Sequence, residues 1–259
     1  THYHIPNRIT EGYGLSKEGV LKAKALGARL IITADCGVSS EEEVSMAVSQ
    51  GIDVIITDHH EPPERLPDAE AIINPHRRDS VYPFKYLAGV GVAYKLVQAL
   101  KQLTVNSEQL TETEKLLALV AIGTVADSVP LIGENRILVT YGLKALNSNS
   151  AGPWVSILRE TSGTSDKELR SSLLSYTLIP RINAAGRVGE ADEVVELFLT
   201  QDTTKAKGIA SYLEDRNRER QRIEGDVYKS AVSMIDADKL DSAIVLYSSQ
   251  WHPGVIGIV

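Results

Sequence analysis

Two apolar runs a helix's length apart restrict this chain more than any other feature. Leu30-Ile31-Ile32-Thr33-Ala34 stops on Asp35, and Val54-Ile55-Ile56-Thr57 stops on Asp58-His59-His60. Between them, Ser40 to Gln50 begins with Glu41, Glu42 and Glu43 and is followed by Gly51. Acids at a helix start complement its dipole, and glycine just past the end takes the left-handed cap. Continuous apolar runs read as strands buried on both faces, so the unit is strand–helix–strand with a parallel pair. In such a pair both carboxyl ends lie on one edge, where open α/β sheets keep their sites. Asp35 is therefore expected to meet Asp58, His59 and His60 there. Carboxylates beside imidazoles make a divalent-cation site the leading expectation, better suited to Mn²⁺ or Mg²⁺ than to structural zinc.

The rest of the chain bounds the classes available to it. It has 259 residues, enough for one large domain or one domain and part of a second, and 43% hydrophobic content supports a substantial core. No apolar run approaches the roughly 18–20 residues of a membrane span, and no signal-peptide pattern is present. The one cysteine, Cys36, excludes an internal disulfide and fits a reducing compartment, the cytoplasm by default. A net charge of −7 weighs against a nucleic-acid partner. Catalytic carboxylates add negative charge that bound metal neutralises, however, and phosphate affinity depends on local basic patches. Both ends read as cuts in a longer protein, because the chain opens on strand-like Tyr3-His4-Ile5 and closes on apolar Pro253 to Val259.

Along the chain, Ala71-Ile72-Ile73 reads as a further short strand, and residues 61–68 as a proline-rich loop beside the histidines. From residue 88 the pattern turns helical, with helices expected at 135–147, 153–160, 166–175 and 190–199. Residues 203–236 read as one long, charged, amphipathic helix, and Ser242 to Tyr247 as the first strand of a new domain. The expected organisation is an α/β domain over 1–200, a connecting helix over 201–238, and the start of a second α/β domain over 239–259.

Three groups of residues carry the candidate chemistry. Asp35, His59 and Asp127 form the first. Asp127 lies in Val125-Ala126-Asp127-Ser128-Val129-Pro130, an apolar setting that disfavours a lone carboxylate. Asp127 reads equally well as a cap or an ion-pair partner, and Asp35 as a turn opener. Cys36 beside Asp35 lacks a cysteine–histidine pattern, and we reject it as a nucleophile. The second group is Arg181-Ile182-Asn183-Ala184-Ala185-Gly186-Arg187, where small residues let backbone approach a ligand and arginines can fork onto phosphate. A tight turn with solvated arginines accounts for it equally. Arg8, in Pro6-Asn7-Arg8, is a weaker candidate of the same kind. His2, His4, His76 and His252 are isolated and read as surface or core histidines.

Asp58-His59-His60 resembles the name-giving motif of the DHH phosphoesterases, with Asp35-Cys36-Gly37 and Ala126-Asp127 similar to that family's flanking acidic motifs. Tyr3 to Arg8 with Glu11-Gly12-Tyr13-Gly14, Pro180 to Gly189, and Trp251 to Gly257 narrow the resemblance to the RecJ single-strand-specific exonucleases. The resemblance implies a parallel-sheet DHH domain and a two-metal phosphodiesterase using Mn²⁺ or Mg²⁺. Its substrate would be single-stranded DNA, degraded from the 5′ end in repair and recombination. By position, Asp35 would bridge the metals, His59 and Asp127 would complete one, and His60 would contact the scissile phosphate. Asp58 would sit in or just behind the ligand shell, and Arg187 would hold phosphate, with Arg181, Asn183 and Arg8 as further nucleic-acid contacts. The family's upstream Asp-x-Asp motif lies before Tyr3, so the chain alone is expected to be weak or inactive. A phosphoesterase for short oligonucleotides, cyclic dinucleotides or pyrophosphate, and a non-catalytic replication scaffold, are the alternatives.

Overall fold

The computed structural model describes residues 1–104, 111–148, 150–235 and 243–259. Ser16 starts the first helix, α1 (Lys17–Ala25), by accepting the Gly19 N–H on its hydroxyl. Then come β1 (Leu30–Ala34), α2 (Glu41–Ser49), β2 (Asp53–Thr57) and β3 (Ala71–Ile73). All three strands are parallel, in the order β1-β2-β3, and Ala34, Thr57 and Ile73 align at the carboxyl edge. Val54 and Ile56 of β2 are fully buried with Val20 of α1 and Val44 and Ala47 of α2. Burial of each valine or isoleucine among them is worth about 1.5–3 kcal/mol. Strand β1 differs from the expectation of two covered faces: it is an edge strand, and Leu30 and Ile32 are 45% and 52% exposed.

Helices make up most of the remainder. α3 (Gly89–Thr104) and α4 (Thr111–Ala126) lead into α5 (Gly133–Asn147), which lies so close to α4 that Gly142 meets the Leu117 carbonyl. A second core is built from α4 and α5, from α6 (Pro153–Thr161), α7 (Ser171–Tyr176), α8 (Leu178–Val188) and α9 (Asp192–Leu199), and from the first half of α10 (Thr203–Ser233). The helix expected at 166–175 begins only at Ser171. The carbonyls of Thr164, Ser165 and Lys167 instead accept from the buried guanidinium of Arg159, which holds this stretch as a loop.

Two expected strands are not formed among the described residues. Tyr3-His4-Ile5 is irregular, because Glu11 accepts bonds from His4, Ser16 and the Asn7 N–H and folds residues 4–16 onto themselves. Residues 243–247 also run without strand pairing. Ser242, the end of the expected helix at 236, and the boundary expected at 238–239 lie outside the described residues. No helix among the described residues is long and apolar enough to cross a membrane.

Candidate metal centre and basic cluster

The site grows from the carboxyl edge of the sheet. The residue after each strand lies there: Asp35 after β1, Asp58 after β2 and Asn74 after β3. The Asp35 N–H bonds to Thr57 O and the Asp58 N–H to Ile73 O, which extends the ladder one step past the strands. Asp35 takes φ 64°, the left-handed region that aspartate tolerates better than most residues. That turn directs its carboxylate at the start of α3, where Gly89 provides the room. A Cβ on Gly89 would sit 2.1 Å from Asp35 Oδ1.

His59 Nε2 stands 3.1 Å from Asp35 Oδ1 and 3.3 Å from Asp127 Oδ2. This nitrogen is buried, yet it is not aligned as a hydrogen bond to either oxygen. Asp127 caps the C-terminus of α4, its N–H bonding to Gly123 O, with Ser128 turning away at φ 57°. An acid at a helix C-terminus faces the negative end of the dipole, at a cost of about 0.3–1 kcal/mol unless a cation offsets it. Burial raises the Asp127 pKa, His59 opposes that rise, and the neighbouring Asp35 charge adds to it. Asp35 in turn raises the His59 pKa, burial lowers it, and Asp127 adds to a net rise. Asp35, His59 and His60 each offer one ligand atom, all within 4.8 Å of one another. An unbonded imidazole nitrogen between two carboxylates fits a divalent cation with oxygen and nitrogen donors.

Asp58 stands behind this set rather than in it. Its carboxylate is 1% exposed and fully engaged. Oδ2 accepts from the Val38 N–H at 2.9 Å, and Oδ1 from the N–H groups of His59 and His60 and from His60 Nδ1 at 2.6 Å. Burial alone would raise its pKa, but these bonds bring it below the usual value. Asp58 thereby fixes the His60 ring through Nδ1 and leaves Nε2 free to act. Asn74, which sequence reasoning missed, donates to the His60 carbonyl at 2.9 Å. Its position straight after a third parallel strand was the available signal. Cys36 has its thiol pushed up to about 11 by burial and the charges of Asp58 and Asp35, in keeping with its rejection as a nucleophile.

The arginines divide into two kinds. Residues 181–187 are not a loop but lie within α8, whose Leu178, Ile179, Ala184 and Ala185 are buried. Arg181 is committed to structure, because Nε pairs with Glu214 and Nη1 donates to Thr177 O. Its side chain is 14% exposed. Asn183 is exposed. Arg187 donates to Gly254 O at 3.1 Å, and burial together with the nearby charges of Arg8 and Arg220 lowers its pKa. Arg8 lies 4.8 Å above the ring of Tyr13, which is 78% exposed. Three arginines from separate segments thus share one neighbourhood.

Glu11 fixes the turn that carries Arg8, and its three bonds hold its pKa at about 2, below the usual 4.5. A depressed folded-state pKa gives stability that is present above pH 4.5 and lost as pH falls towards 2. The stability difference between the parent chain and Glu11→Gln should therefore shrink over that window in urea melts. A difference independent of pH would contradict the assignment.

The chain belongs to the DHH family: residues 1–124 match the model of the DHH family, N-terminal domain. Over 99% of its length it is 42% identical to the single-stranded-DNA-specific exonuclease RecJ of Salmonella typhimurium and to that of Bacillus subtilis. It spans 47% and 32% of those two proteins, about half their length or less. Among solved structures, exonuclease RecJ bound to manganese matches with a TM-score of 0.85 at 33% identity, covering 99% of this chain and 63% of that one. RecJ of Thermus thermophilus in complex with Mn²⁺ matches at 0.80 and 32%, covering 93% and 35%.

Proposed function

We propose that this chain forms the catalytic part of a metal-dependent, single-strand-specific DNA exonuclease that works 5′ to 3′ in repair and recombination. The observation that carries the reading is His59 Nε2 set between the Asp35 and Asp127 carboxylates at a strand-end edge. Asp35, His59 and Asp127 would hold Mn²⁺ or Mg²⁺, with Asp35 as the ligand shared between two ions. Bound divalent ions supply a hydroxide near neutral pH and stabilise charge on phosphoryl oxygens. The chain's own residues do the rest. Asp58 orients His60, which would contact the scissile phosphate through the Nε2 edge of its ring. Arg187, steadied by Gly254 O, and Arg8, stacked on Tyr13, would hold the strand through phosphates at the edge of the site. Residues 1–200 would form the DHH domain, 201–238 a connecting helix and 239–259 the start of a further domain. The lone cysteine fits work in the cytoplasm.

The test is Mn²⁺-dependent digestion of 5′-labelled single strands, with duplex and cyclic-dinucleotide controls, by the chain alone and extended to its relatives' length. Faster turnover of duplex or dinucleotide would replace the exonuclease reading with another phosphoesterase. Arg187→Ala should weaken single-strand binding for every sequence and reduce the salt slope by about 0.7 for one lost phosphate contact. A sequence-selective loss would count against the phosphate role.

A further inference from the structure

We infer that Asn135, in the first turn of α5, is a positioning residue for the cation site: its buried amide ties together the two loops that wall that site. The inference rests on the metal reading given above. Asn135 is 0% exposed, and its Nδ2 donates to Tyr86 O at 2.5 Å and to Pro130 O at 3.0 Å. Tyr86 lies three residues before Gly89, which abuts the Asp35 carboxylate, and Pro130 lies three residues after Asp127. One NH₂ group, with one N–H for each carbonyl, thus sets the spacing of the Asp35 wall and the Asp127 wall. Its Oδ1 is buried without a partner, so the burial of this amide is compensated through the two donors alone.

The surrounding turn has the same character. Glu134 accepts from Tyr82 Oη at 2.5 Å and from Lys95 Nζ of α3 at 2.6 Å. Gly133, at φ 48°, lies so close to the Phe84 ring that a Cβ would come within 2.6 Å. The start of α5 is therefore a platform on which residues 82–86 and 127–132 are both seated. Outer groups that orient ligands typically change metal affinity by about 10–100-fold when removed.

Asn135→Leu keeps the volume and removes both donors. Calorimetric titration of the chain with Mn²⁺ should show affinity reduced by about 10-fold or more. Hydrogen exchange of the metal-free protein should accelerate in residues 84–90 and 127–132. Leu158→Ala, on α6, which packs against α10, serves as the control for lost stability and should retain parental Mn²⁺ affinity. If Asn135→Leu does not fold, Asn135→Ser shortens the side chain beyond reach of both carbonyls and reads the same quantities. Parental affinity in a folded variant, or an equal loss in Leu158→Ala, would overturn the positioning role and leave the metal reading standing. No Mn²⁺ binding by the parent chain would overturn both.

Discussion

Asp35→Asn, made in the chain extended to its relatives' length, is expected to lower single-strand digestion by about 10³-fold or more, with the thermal midpoint nearly unchanged. Each tenfold in rate is about 1.36 kcal/mol, and alignment of bound metal is worth several kcal/mol to charge on a reacting phosphate. Asparagine is the informative substitution because it tolerates the left-handed backbone that Asp35 adopts at φ 64°. It also keeps the volume packed against Gly89. What it removes is charge, and it presents either a neutral oxygen or an NH₂ group 3.1 Å from His59 Nε2. Alanine would add backbone strain of about 1–2 kcal/mol and confuse the two effects. The assay pairs digestion with Mn²⁺ titration and a circular-dichroism melt. Turnover within about tenfold of the parent would remove Asp35 from the ligand set.

How far the sequence reaches is visible in which residues it placed. Asp35 and Asp58 to His60 were legible because two apolar runs and one helix-length segment leave a parallel pair as the simple solution, and parallel pairing fixes their common edge. Asp127 was legible from its own surroundings only as an unexpected acid, and it was the family resemblance that put it on the same cation as His59. Its place depends on how α4 docks, and the two are 68 positions apart in the chain. Arg181 and Arg187 look alike in sequence. Only the fold shows that Glu214, from α10, takes the first and leaves the second beside Arg8 and Arg220. The stretch before α7 was read as helix because local periodicity cannot anticipate a buried arginine drawing three carbonyls to itself. Asn135 carries no local signal at all. It follows Gly133-Glu134 at a helix start, where a polar residue is ordinary, and its role appears only when two distant carbonyls meet it.

Gly89→Ala is the second substitution expected to have a large effect, and local and tertiary terms oppose each other in it. Gly89 opens α3 and has no positive φ, so alanine should favour the helix by up to about 1 kcal/mol. Its Cβ, however, would lie 2.1 Å from Asp35 Oδ1, 2.5 Å from Cγ and 2.6 Å from Cβ. No rotamer of Asp35 relieves a contact that includes its own Cβ, so either the Asp35 turn or the start of α3 must shift. A shift of about 1 Å at a site that aligns reacting groups costs on the order of 10²-fold in rate. We therefore expect secondary structure retained, Mn²⁺ affinity reduced, and, in the chain extended to its relatives' length, turnover down by about 10²-fold or more. Gly208→Ala on α10 is the matched control, since nothing lies within 4 Å of its added Cβ. It should bind Mn²⁺ and turn over as the parent does. Parental metal affinity and turnover in Gly89→Ala would mean that the Asp35 carboxylate has room to move without consequence. The close approach of α3 to the strand end would then be packing alone.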